Sequence, residues 1–315
     1  LTASISEAVA LHGCTLIYTG APRLLTPIYR AASNANIPIV LHLEQMYRNR
    51  LWEWYLRYYA GRRNVSRIIL LSDTCRLWFE RRVGCFKKTV VINNWLARNN
   101  RLASQDPPAV LPSSIPGSFK YGAIGRVLPI KGQETFLKAA LIQCRKERAT
   151  EYYVVGDTAF GKPDYRTRIQ RTVHESPFKD RFHFVDHTDT VDSVYRELDC
   201  IVVPSVWDEP FGLVSIEAMH FERALIVSDR GELVTLAGNG DYAYMFSAGD
   251  ELALLDAMDN VLHDHAATAR KIRLAKSRVD HDYNESAQLS KVFDQLMACV
   301  TDWPTTAELP HQMDT

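Results

Sequence analysis

The chain has 315 residues, 46% hydrophobic and 23% charged, with 37 Lys+Arg balancing 37 Asp+Glu. That length suits two domains, and that composition excludes a disordered tail, a collagen-like repeat and a disulfide-stapled miniprotein. The charge is uneven: residues 1–110 hold 15 Lys+Arg against 6 Asp+Glu and the remainder 22 against 31, which points to two parts that meet different partners.

Leu1–Leu11 is a short mixed segment without the basic and apolar regions of a signal peptide. Cys14–Tyr18 reads as a strand, Pro22–Asn34 has helical spacing, and Ile37–Leu41 is a short apolar strand. Met46–Ala60 is expected as a helix, with Leu51, Trp54, Tyr55, Tyr58 and Tyr59 on one stripe. Arg67–Leu71, Asp73–Val83 and Thr89–Ile92 continue as strand, helix and strand, and the proline-rich Ser104–Gly117 is a linker. Strands are then expected at Lys120–Ile124, Tyr152–Val155, Phe182–Val185, Cys200–Val203 and Leu225–Val227. Helices are expected at Gln133–Arg145, Tyr165–Val173, Val191–Leu198, Phe211–His220 and Leu252–Leu262. This alternation predicts parallel sheets covered on both faces, with ligands beyond the carboxyl ends of the strands. The longest apolar runs, Ile68–Leu71 and Ile201–Pro204, are strand-sized, so no membrane span is expected. The six cysteines show no C-x-x-C pair, and most of them read as small buried apolar residues in a reducing compartment.

Two loops carry chemistry. Gly125-Arg126-Val127-Leu128-Pro129-Ile130-Lys131-Gly132 leads from a strand into a helix, where glycine permits close backbone approach and two cations five apart suit a diphosphate. The plain alternative is a surface turn with two solvated cations. After Cys200–Val203 come Pro204-Ser205, then Glu209-Pro210-Phe211-Gly212-Leu213-Val214-Ser215-Ile216-Glu217-Ala218-Met219. Pro210 suits a helix start, and Gly212 leaves amides open to an anion. Glu217, among apolar neighbours, needs a hydrogen-bonding partner: a ribose diol or, structurally, a nearby arginine.

Together with Gly156-Asp157, these residues resemble the donor half of retaining GT-B glycosyltransferases of family 4, the glycosyl transferases group 1. The likeness is close over Lys120–Phe246 and looser over Leu11–Trp95, through Ile39-Val40-Leu41-His42, Ser72 and Val91-Ile92-Asn93. It implies two facing Rossmann-like doubly wound α/β domains, the first truncated at its start, since the family's opening strand and Gly-rich loop are missing. The expected boundaries are 1–105 for the partial acceptor-side domain, 106–117 for the linker and 118–282 for the donor domain. Residues 283–315 form a helix returning to the first domain, plus a tail. The resemblance also implies transfer of a sugar from a nucleotide diphosphate-sugar to a hydroxyl acceptor, a glycan or lipid-linked glycan, with retention, in polysaccharide or glycoconjugate synthesis. Arg126 and Lys131 would hold the diphosphate. Glu209 and the amides of Phe211, Gly212 and Leu213 would orient sugar and phosphate, and Glu217 would bind the ribose. Gly125 and Val214 complete the donor site, and His42 would reach the sugar. The nucleotide sugar is a co-substrate, and no metal or other cofactor is implied. The expected location is the cytoplasm. The chain departs from the family pattern at Glu222-Arg223-Ala224 and at Arg230-Gly231.

The competing readings are a catalytically inactive nucleotide-sugar binding module and a nucleotide-sugar epimerase of related fold. Gly156–Pro163 nearly matches a triphosphatase phosphate loop, but Pro163 stands where a magnesium-binding hydroxyl is required. His183 and His187 read as ordinary sheet residues. Met46–Arg67 holds six arginines and six Trp/Tyr. It reads as a core helix with its aromatic face on the sheet, the alternative being peripheral docking on an anionic membrane at its cytoplasmic face. Zero net charge and the lack of a recognition motif argue against nucleic acid.

Overall fold

The computed structural model describes residues 1–96, 110–113, 115–158 and 163–304. The chain divides into two compact units, Leu1–Asn94 with Ser286–Thr315, and Trp95–Glu285. Part of the expected linker (104–109 and 114) and Gly161 and Lys162 of the phosphate-loop lookalike lie outside the described residues.

The first unit runs α1 (Thr2–Leu11), β1 (Ile17–Thr19), α2 (Leu25–Ala35), β2 (Ile39–Leu43), α3 (Arg50–Ala60), β3 (Val65–Leu70), α4 (Asp73–Arg82) and β4 (Thr89–Val91). Its strands pair in the order β1-β2-β3-β4, all parallel. Every residue of β2 is buried, as the unbroken apolar run of a doubly covered strand requires. A long C-terminal helix, numbered last below, belongs to this unit. Arg67 Nε donates to Gln295 Oε1 at 3.1 Å, and Trp303 Nε1 donates to the Asn36 carbonyl at 2.8 Å.

Helix α3 departs from expectation twice. It begins at Arg50 rather than Met46, because the Asn49 side chain accepts the Leu51 amide and caps the first turn. Its buried face is Glu53, Leu56, Tyr59 and Ala60, whereas Leu51, Trp54 and Tyr58 are 77%, 68% and 43% exposed. The core-helix reading of that stripe therefore holds only for its Tyr59 edge and the half-buried Tyr55, while Leu51, Trp54 and Tyr58 turn outward. Periodicity locates a stripe but not its direction. Here Arg82 Nε neutralises the buried Glu53 at 2.8 Å, and the Tyr59 hydroxyl donates to Thr26 Oγ1 at 2.8 Å. These polar partners let the face that carries Glu53 turn inward beside Tyr59.

The second unit comprises β5 (Phe119–Ile124), α5 (Gln133–Gln143), β6 (Thr150–Val155), α6 (Pro163–His174), β7 (Phe182–Val185), α7 (Val191–Glu197) and β8 (Cys200–Val203). It continues through α8 (Leu213–His220), β9 (Ala224–Ser228), α9 (Glu232–Leu236), β10 (Tyr244–Phe246), α10 (Glu251–His263) and α11 (His265–Asp282); the helix returning to the first unit is α12 (Glu285–Thr301). The strand order is β10-β9-β8-β5-β6-β7, again all parallel. The chain leaves β5 in one direction through β6 and β7, then crosses back to β8 and proceeds the other way. This reversal opens a crevice at the carboxyl ends of β5 and β8. Beneath it the rings of Tyr121, Tyr152 and Phe182 stack in series at 5.8 and 5.0 Å between centroids. The Tyr121 hydroxyl is satisfied by the Met258 carbonyl at 2.9 Å. Helix α11 was not expected: it is mostly polar and buries only Ala275 and Val279.

The chain enters this unit under internal restraint. Glu197 Oε1 accepts the Val110 amide at 2.6 Å. Glu151, fully buried on β6, accepts from Ser113 Oγ at 2.7 Å, from Ser118 Oγ, and pairs with His183 Nε2 at 2.9 Å. His183 is thus the neighbour of a buried acid, while His187 lies beyond the end of β7 and is exposed. No helix among the described residues is long and apolar enough to cross a membrane.

Candidate functional site

The two motif loops follow β5 and β8, the adjacent strands at the reversal. Gly125 turns the chain out of β5 with φ 130°, and its carbonyl lies against Gly156, where a Cβ would come within 2.2 Å of that oxygen. Gly132 has φ 71° and leads into α5; a Cβ there would fall 1.8 Å from the Pro204 carbonyl oxygen. Only glycine permits this approach, so the loop after β5 rests directly on the loop after β8. The Val206 amide donates to the Ile130 carbonyl at 3.0 Å and closes the contact.

This contact brings Lys131 and Glu209 together, with Nζ 2.6 Å from Oε1. Glu209 is 4% exposed, so its charge depends on partners. Ser205 Oγ donates to the same Oε1, and Ser228 Oγ donates to the Ser205 carbonyl at 2.6 Å. From the far side Gly231 bridges Glu209, whose carbonyl accepts the Glu232 amide at 3.0 Å. Arg126 is exposed, and its guanidinium pairs with no described residue. Its carbonyl is held at 2.9 Å by Gln133 Nε2.

Helix α8 starts at Leu213, later than Pro210 and Phe211 suggested, because Gly212 adopts φ 103° and breaks the helix before it. Glu217 consequently lies little more than one turn into the helix. No side chain caps α8; the Ser215 amide donates to the Gly212 carbonyl at 2.9 Å, and the Leu213 and Val214 amides before it are left available to an anion. Phe211 is buried edge-on against Tyr283, with centroids 5.6 Å apart, Leu213 is exposed and Val214 half-buried. Glu217 Oε2 accepts the Tyr195 hydroxyl at 2.6 Å. Burial and the adjacent Glu217 charge hold the Tyr195 phenol well above its ordinary value, so it remains a donor. This tyrosine is a partner that the sequence did not name.

His42 belongs to the first unit, in β2. Its Nδ1 lies 2.5 Å from the Tyr18 hydroxyl, and its Nε2 is buried without a partner among the described residues. Burial lowers its pKa to about 4 and keeps the imidazole neutral. With Tyr18 donating to Nδ1, the ring proton sits on Nε2.

Sequence reasoning missed Tyr195 and Gln133, and placed Ser205 in the motif without its bond to Glu209. The first two carry no motif, and only the fold brings Tyr195 to Glu217. Gln133 Oε1 and Ser215 Oγ, in the first turns of α5 and α8, are also buried without a hydrogen-bond partner among the described residues. Such orphans are costly and point to a polar ligand.

Residues 118–264 match the family model described as glycosyl transferases group 1. The lipopolysaccharide core biosynthesis mannosyltransferase LpcC of Rhizobium leguminosarum bv. viciae is 25% identical over 191 residues, 60% of this chain and 54% of that relative. The chain thus spans about half the length of this curated relative. Among solved structures, HepE of Anabaena in complex with UDP superposes with a TM-score of 0.83 at 21% identity, covering 94% of this chain and 82% of that one. Sucrose-phosphate synthase from Thermosynechococcus elongatus gives 0.77 at 22% identity, covering 94% and 77%. The fold is GT-B, with two parallel-sheet α/β units of Rossmann-like topology.

Proposed function

We propose that this protein is a glycosyltransferase that moves a sugar from a nucleotide diphosphate-sugar to a hydroxyl acceptor with retention of anomeric configuration, in glycan or glycoconjugate synthesis. The observation that carries the reading is the Lys131–Glu209 pair, set at the β5/β8 reversal beside the uncapped start of α8. An anion arriving there meets the Lys131 ammonium, the exposed Arg126 guanidinium and free helix amides. Lys131 then exchanges its carboxylate for phosphate, and Glu209 is released to accept from sugar hydroxyls while Ser205 still orients it. Glu217, steadied by Tyr195, takes the ribose diol. His42 offers its Nε2 proton to a substrate hydroxyl oxygen.

In the reaction the bond from the anomeric carbon to the phosphate oxygen breaks and that from the anomeric carbon to the acceptor oxygen forms on the same face. The acceptor proton passes to the departing phosphate. The cations and amides act on charge that grows on that phosphate, and this kind of preorganisation contributes the most to rate. Positive charge comes from side chains and backbone, so the reading requires no metal.

Calorimetric titration with UDP-, GDP- and ADP-sugars, beginning with UDP-glucose, tests the reading. One of the series should bind. Lys131→Ala and Arg126→Ala should each weaken that binding and lower transfer about a hundred- to thousandfold. Binding of none of them, or wild-type behaviour of both variants, refutes the assignment. Binding without transfer or donor hydrolysis would leave a donor-binding module.

A further inference from the structure

The solvent face of α3 has no role in the proposed reaction. Leu51, Trp54 and Tyr58 recur at i, i+3 and i+7, form one stripe and stand exposed. Trp54 and Tyr58 stack on each other at 6.0 Å with a 23° interplanar angle, and the Arg62 guanidinium lies 4.0 Å over the Tyr58 ring. Arg50 and Arg57, both exposed, border the stripe on the side leading to Glu53. Glu53 is the one acidic residue in 46–67; it is buried and matched by Arg82, so α3 itself sets no exposed carboxylate against its exposed apolar and cationic side chains.

We infer that this face docks on an anionic lipid bilayer. The chemistry of the stripe matches that occupant part by part. Indole and phenol rings favour the boundary between headgroups and acyl chains. Leucine adds apolar burial, and guanidinium groups fork onto lipid phosphates. The apolar stripe is short, which makes binding depend on both contributions and hence on lipid charge. The inference is independent of the assigned reaction.

Sedimentation with phosphatidylcholine vesicles, with and without phosphatidylglycerol, tests it on the full chain. The protein should partition onto the anionic vesicles at least tenfold more strongly than onto the neutral ones. Arg50→Glu/Arg57→Glu should abolish that difference. Leu51→Gln/Trp54→Gln, which leaves the charge unchanged, should lower binding several-fold, and all four side chains are exposed enough for the variants to fold. Equal partition onto neutral and anionic vesicles, or no partition onto either, overturns the inference. So does binding that survives Leu51→Gln/Trp54→Gln and is matched by soluble heparin, since that describes a general polyanion surface.

Discussion

The carboxyl edges of the two sheets are built on different plans. In the second unit the loops after β5 and β8 touch through backbone at Gly132 and Pro204, and Lys131 and Glu209 within them hold each other. In the first unit the end of β2 presents one neutral imidazole backed by one phenol. The contrast fits the division of labour in the proposed reaction. Gripping a diphosphate takes fixed positive charge and exposed amides, whereas addressing a sugar hydroxyl takes an uncharged donor that does not compete for the phosphate. It also shows where tolerance lies: a backbone contact admits no side chain, while a buried imidazole admits substitution but records pH.

The largest effect that would break this contrast comes from Gly132→Ala. A methyl group 1.8 Å from the Pro204 oxygen, at φ 71°, forces the loops apart. The cost is on the order of 3–4 kcal/mol in denaturant unfolding, with donor binding lost as well. Wild-type stability and binding in this variant would mean the loops do not need to touch.

The second prediction sharpens the description of the first unit. His42 is depressed from 6.5 to about 4 by burial, so between those values the unfolded chain binds the proton and the folded one does not. The His42 contribution is therefore intact above pH 6.5 and is lost as pH falls toward about 4, by up to roughly 3 kcal/mol. In His42→Asn the stability–pH curve should be flatter over that window. Parallel curves for the two proteins would show that His42 titrates normally.

The smallest effect concerns Tyr195→Phe, which removes the 2.6 Å bond to Glu217. Affinity for the preferred nucleotide should fall by about 1 kcal/mol, whereas inorganic diphosphate should bind as before. An equal loss for both ligands would move Tyr195 from nucleoside positioning to general support of the site.

Much of the second unit was legible because its signals are local. Glycine, arginine and lysine within eight positions, or two glutamates around Pro210 and Gly212, can be read along the chain. The supporting groups were not legible, since Tyr195 meets Glu217, and Ser228 meets Ser205, only after the sheet has ordered its strands. Helix α3 shows a different limit. Its stripe was found from spacing, but Glu53 and Arg82 are 29 positions apart, and their pairing is what allowed the acidic side to turn inward. The first residue of α8 was misplaced for a third reason: Pro210 is compatible with a helix start, but the left-handed backbone at Gly212 decides where helical geometry begins.

Glu151 lies at the base of the path by which the chain enters the second unit, with Ser113, Ser118 and His183 gathered on it. A pull on the incoming strand would therefore be felt in the middle of the sheet and not at its rim, because residues 113 and 118 cannot peel away without stranding a carboxylate in a place water does not reach.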